Sequence, residues 1–337
     1  MSESTIEMLA ELSNSAMYAA TVVYALAMLM HVVEWAQARG LPADVDVSTP
    51  TPALVSAGSA DATAQTPDPW TDEPRSPTSD DVERTDKFGR IGLSLTVLAL
   101  LLHTAGVVTR GLAAQRVPWG SMYEFAITGS LAVAVAYVVL VRGYRIRWLG
   151  LPVTGFLLTV LGLAVIVLYR PVAPLVPALH SYWLVIHVSA AAIAGGALTV
   201  GALASVLYLL RSRLEAKAAA APEMPRTGFL WRTPSATDID RLAYRAHAFA
   251  FPLWTFAVLA GAIWAEYAWG RFWGWDPKEV WAFITWVAYA AYLHARATSG
   301  WQGRGAAYVA LAGYATFLFN FLGINLLGSG LHAYSGM

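Results

Sequence analysis

Eight apolar stretches run through this chain of 337 residues, each about 20 residues long, the length needed to cross a hydrocarbon core of about 30 Å. They fall near 16–38, 89–113, 122–141, 148–169, 183–210, 242–268, 279–297 and 305–327. Hydrophobic residues make up 57% of the sequence and charged residues only 13%. That charge content is about half the soluble norm of roughly 25%. A water-soluble core cannot use so much apolar surface without exposing large patches. The fold class expected is therefore an all-α integral membrane protein with about eight transmembrane helices.

Lys and Arg divide unequally between the two sides that such spans create. The side carrying the N-terminus holds five, Arg110, Arg116, Arg170, Arg271 and Lys278, and the other side holds the remaining 17. Basic loops stay cytoplasmic. Both termini are thus expected on the outer face of a multi-pass protein of the cytoplasmic membrane. The opening MSESTIEMLAE is acidic, so the first span lacks the basic start of a signal peptide and is expected to remain as a helix. Basic and acidic residues balance at 22 each, which argues against nucleic acid as a partner. The chain has no Cys, which excludes disulfides, thiolate metal sites and a cysteine nucleophile.

Three regions follow. Residues 1–38 form an N-terminal transmembrane helix, 39–88 an insertion on the cytoplasmic side, and 89–337 the main membrane domain. The insertion holds seven of the 17 prolines and ten of the 22 acidic residues. A segment so poor in bulky apolar side chains cannot offset its ordering entropy and is expected to be disordered.

Tryptophan is concentrated. Seven of the 14 fall between Trp254 and Trp286, around the outer loop WGRFWGWDPKE at 269–279. An interfacial aromatic belt explains scattered Trp residues, but not half the supply around one loop. Large π-faces beside a short polar sequence suit a flat aromatic ligand. Asp276, Pro277 and Glu279 occupy the cap, first and third positions of a capping box, which predicts the start of a helix. That structural role leaves Trp269, Trp273 and Trp275 unexplained.

The pattern WGxxWxWDxKE resembles the WWD signature of membrane heme-handling proteins, specifically the CcsA/ResC-type proteins of system II cytochrome c biogenesis. The resemblance extends through EVWAFITWVAYAAYLHAR (279–296), NLLGSGLHAY (325–334) and LVPALHSYWLVIHV (175–188), and so covers about 89–337. It implies heme b as transported substrate, a ResB-type membrane partner, and apocytochrome c as client. It also implies that heme moves from the cytoplasmic side to the outer face, for thioether attachment to CxxCH motifs. Two alternatives stay open: a transmembrane heme-binding electron carrier, and a CcmC-like heme exporter.

The resemblance makes His187 and His332 the outer axial ligands of heme iron, since two neutral imidazoles from separate segments can clamp it. It makes His294 an inner ligand, whose partner is open between His31, the weaker candidates His103 and His247, and a residue of the partner subunit. His180 reads as a loop residue. Trp269, Trp273, Trp275 and Asp276 complete the expected cofactor-binding set. Arg271 is the first choice of cation for a heme propionate, with Lys278, Arg170, Arg116 and Arg110 also available. The small residues of 189–204 fit close helix packing, or room for a porphyrin below His187. For topology, a reporter fused after Met337 is expected to be active only outside, and one placed near Arg226 only inside; the reverse pattern would overturn the orientation.

Overall fold

The computed structural model describes residues 1–42, 78–144, 146–175, 177–298, 300–327 and 330–332. All eight apolar stretches are helical. They are α1 (Glu3–Gln37), α2 (Ser79–Ala114), α3 (Met122–Tyr144), α4 (Gly150–Leu163), α5 (Tyr182–Ala220), α7 (Ala236–Trp269), α8 (Pro277–Ala297) and α9 (Arg304–Leu318). A short α6 (Phe229–Arg232) joins α5 to α7. A π-turn, Ala164–Leu168, continues α4, and another, Phe319–Gly323, leads from α9 into α10 (Ile324–Leu327).

Seven of these helical segments are long and apolar enough to cross a membrane. The one left out is α8, whose 21 residues include Trp281, Trp286, Tyr289, Tyr292 and His294. It nonetheless runs the length of the bundle beside α7. Near its start, Trp254 Nε1 donates to the Ala282 carbonyl at 3.2 Å; near its end, Arg296 meets Asp240 at 2.6 Å. At 1.5 Å per residue the 39 residues of α5 extend about 58 Å, well beyond a bilayer core. The surplus lies at the end where α1, α5 and α8 finish, together with most of the charge.

That charged end is cross-linked by ion pairs. Arg147 pairs with Glu34 at 3.5 Å and Asp86 at 2.8 Å, and Arg232 reaches the same Asp86 at 3.2 Å. Asp86 belongs to α2, which begins at Ser79 behind a Thr78–Asp81 capping box. Residues 79–88, expected within the disordered insertion, are therefore helix. Val82 and Thr85 among them are buried, as is the following Gly89. Residues 39–42 of the same expectation are also ordered, with Leu41 buried and Pro42 bridged to Thr227, and the remainder, over 43–77, lies outside the described residues.

At the centre stands α5, the most buried of the spans. Its small residues serve close packing: Gly195 lies against Phe317, Gly196 against the Ala132 backbone, and Gly201 against the His247 ring. At the opposite, aromatic end, α2 and α3 share a buried charge cluster. Arg110 and Glu124, each only 1% exposed, meet at 3.0 Å, and Arg116 binds the other carboxylate oxygen at 2.7 Å. Glu124→Ala would leave Arg110 charged and uncompensated, a loss of about 3–5 kcal/mol. A clear fall in melting temperature in detergent is expected, with a smaller one for Arg116→Ala because that side chain is 16% exposed.

Candidate functional site

The loop between α7 and α8 is folded by two carboxylates. Glu279 accepts hydrogen bonds from the Gly274 amide at 2.8 Å, the Asp276 amide at 3.0 Å and Arg271 at 2.9 Å. Asp276 caps α8 by accepting from the Lys278 amide at 3.2 Å. It also holds the chain beyond α10: the Leu331 amide donates to Oδ2 and His332 Nδ1 to Oδ1, both at 2.8 Å. Gly330 makes this approach possible, because a Cβ there would strike the Asp276 carboxylate. The predicted capping box is thus present, and its cap residue does two further things.

His187 and His332 line one cavity of about 200 Å³ at the aromatic end. His187 projects from α5 onto α7, where Gly261 leaves room for its ring, and its Nδ1 is 2.7 Å from the Ala257 carbonyl. A carbonyl can only accept, so Nδ1 carries the proton and Nε2 keeps its lone pair. His332 Nδ1 faces a carboxylate and is protonated for the same reason. In the neutral form each imidazole then carries its lone pair on Nε2, which has no hydrogen bond among the described residues, and each is oriented through its other nitrogen, as in metal-ligating histidines. Trp264 lies near both, at ring-centroid distances of 6.1 Å from His187 and 5.6 Å from His332, and is fixed by a 3.0 Å hydrogen bond to the Ala178 carbonyl. Trp119 of the α2–α3 connection, Phe125 of α3 and Trp254 of α7 complete apolar walls. Ligand pockets commonly run to about 300–1,000 Å³, so this one suits the edge of a flat macrocycle rather than its whole.

The loop tryptophans divide. Trp269 packs edge-on against His332 at 4.7 Å, and Trp273 lines the cavity. Trp275 is 64% exposed and packs on Trp273 and Phe283 instead. It takes a left-handed φ of 58°, which turns the chain into the helix cap. Of the cations, Arg110 and Arg116 are committed to Glu124, and Arg271 is committed to Glu279 beside the Trp269 face. Lys278 reaches the cavity wall.

The expected inner residues are not brought together. His294 is exposed near the end of α8. His31 is fully buried in α1, bonded to Glu34 at 3.0 Å and wedged between Gly92 and Gly150. His103 bonds the Ile127 carbonyl at 2.7 Å, and His247 packs between Tyr289 and Tyr292. His180 is exposed before α5. Sequence reasoning passed over Asn320 and Asn325, which line the cavity from the π-turn and α10. Their signal was there: they are the only two polar side chains in the apolar run 317–327.

A family model described as cytochrome C assembly protein matches residues 119–332, from one cavity residue to another. The cytochrome c biogenesis protein CcsA of Guillardia theta is 36% identical over 256 residues, covering 72% of this chain and 85% of the relative. The protein of the same name from Synechococcus sp. (strain JA-2-3B'a(2-13)) is 34% identical over 298 residues, covering 73% and 83%. That of Parasynechococcus marenigrum (strain WH8102) is 36% identical over 263 residues, covering 71% and 85%.

The hold of Asp276 on His332 is sensitive to acid. Burial draws the His332 imidazole below its ordinary value, against the opposing bond to Asp276. Burial alone would raise the Asp276 carboxyl, but the Leu331, His332 and Lys278 hydrogen bonds outweigh it and leave it below the usual range. A lowered histidine value makes docking complete above about 6.5 and weaker as pH falls from there. A lowered carboxyl value keeps its contribution until pH falls below about 4. Hydrogen-exchange protection of the Leu331 amide is therefore expected to be greatest at neutral pH and to drop in those two stages. Asp276→Ala should abolish it at every pH.

Proposed function

The chain belongs to the cytochrome c assembly protein family, and from that membership we propose that His187 and His332 hold heme iron at the aromatic end while the heme is presented to an apocytochrome. A role in cytochrome c biogenesis follows from the family itself. The observation that carries the rest is the pairing of two imidazoles, from separate segments, on one aromatic cavity with neither Nε2 hydrogen-bonded among the described residues. The cavity takes one edge of the macrocycle, and the opposite edge stays accessible to a client.

In this reading heme b is cargo, and the protein supplies position and control of ligation. Each thioether forms when a client thiol adds across a vinyl group: sulfur bonds one carbon, the thiol proton passes to the other, and no oxidant is consumed. The absence of Cys here is no obstacle, since the client brings both thiols. His294 serves an inner heme site. Its exposure on α8 supports a second ligand from a ResB-type partner, whereas the packing around His31 does not favour His31 in that role. The aromatic end faces outward and the charged end faces the cytoplasm, in keeping with the basic bias of its loops.

Replacing one ligand should leave the bundle intact. His187→Ala or His332→Ala is expected to reduce cytochrome c maturation at normal protein levels. Added imidazole should restore part of it by filling the vacant iron position, which a mere packing defect has no means to exploit. Full activity of either variant without imidazole would overturn the assignment.

A further inference from the structure

We propose that Lys278 anchors one heme propionate at the cavity wall, with Asn325 and Asn320 as its polar companions. This rests on the reading of the His187–His332 pair as the outer heme site, and it moves the anchoring role away from Arg271. Among the described residues the other cations of this end are engaged: Arg110 and Arg116 close on Glu124, Arg271 closes on Glu279, and Arg170 donates to the Tyr169 carbonyl at 3.5 Å. Lys278 forms no ion pair with a carboxylate within 4.0 Å among those residues. Its ammonium donates instead to Asn325 Oδ1 at 2.9 Å. The Asn325 amide nitrogen is itself tied to the Phe321 carbonyl, which fixes the oxygen toward the lysine.

Asn320 supplies an independent sign. Its side chain lines the same cavity and is only 8% exposed, yet its Oδ1 has no hydrogen-bond partner among the described residues. A turn of that amide would bring N–H to the same place. The π-turn Phe319–Gly323 sets Asn320 on the cavity side, and such turns recur where a helix aims side chains at a ligand. The cavity is otherwise mostly apolar, and the one carboxylate among its described lining residues, Glu279, is taken up by Arg271 and two loop amides. An ammonium and a spare amide on one wall are then the complement of a carboxylate carried by a flat apolar ring. An ammonium with one neutral partner also retains two N–H donors for it.

The test uses detergent-solubilised full-length protein carrying His294→Ala, so that only the outer site is read. Iron protoporphyrin IX and its dimethyl ester, which lacks propionate charge, are titrated and followed by the low-spin bis-histidine spectrum. The free acid is expected to bind about tenfold more tightly than the ester. Lys278→Met should erase that preference by weakening the acid about tenfold while leaving the ester unchanged, and Lys278→Arg should keep it. Equal affinity of acid and ester in the unmutated lysine background would overturn the proposal without reliance on any lysine variant. Equal weakening of both ligands by Lys278→Met would also overturn it, showing that the lysine only pins α10 to α8. If no low-spin spectrum depends on His187, the outer-site reading itself fails and the anchor falls with it. If that spectrum is present but Lys278→Met binds both ligands as before, the anchor alone fails.

Discussion

One carboxylate, that of Asp276, joins the start of α8 to the stretch that carries His332. It begins α8, takes the Leu331 amide and orients His332. A helix start leaves amide protons without partners, and an acidic cap answers both that need and the positive end of the helix dipole. Here the same oxygens also hold the last described stretch of chain. Glu279, three residues on, folds the preceding loop from the other side. The geometry of His332 is therefore inherited from the start of α8, and α8 in turn is held against α7 along its length.

The charges of this chain serve two different physical ends. At the charged end, arginines pair with Glu34 and Asp86 and so tie α1, α2 and α6 together, while Arg296 with Asp240 ties α8 to α7. At the aromatic end, Glu124 gathers Arg110 and Arg116 behind the cavity wall, where residues 119–125 of the α2–α3 connection and α3 form one side. Neutralising those cations keeps them away from the ligand. The cavity keeps, beside apolar faces and the Glu279 already paired with Arg271, two imidazoles, Lys278 and the amides of Asn320 and Asn325.

Much of this was legible in the sequence, and for identifiable reasons. Span positions follow from apolar length, because a lipid-embedded backbone has few alternatives to helix. The capping box at Asp276 and Glu279 was readable because its partners lie three residues apart, and the tryptophan cluster because half the supply sits in one short window. What escaped depends on distant partners. Arg271 looked available until the fold set it on Glu279, and Trp275 looked like part of the site until its left-handed backbone turned it away. His31 has a plausible depth, but the sequence does not show that its ring packs between two glycines that lie about 60 and 119 positions along the chain from it. The start of α2 at Ser79 was hidden by acidic residues that read as linker, although they supply the first turn of a helix.

The two imidazoles of the cavity differ in mechanical kind. His187 belongs to a 39-residue helix at the centre of the bundle, and its orienting acceptor is a backbone carbonyl of α7. Moving it means moving packed helices. His332 lies beyond the last helical turn, and its orienting acceptor is a side chain on a loop. Among the described residues, moving it means breaking the bonds to Asp276 and the contacts with Trp264 and Trp269. A site that must both grip a cargo and surrender it is served by such inequality, because a clamp with one stiff and one yielding jaw can open without disturbing the scaffold. The stiff jaw rests on helix packing that lipid stabilises, and the yielding one on hydrogen bonds at the aqueous edge, where acid and water can compete for them.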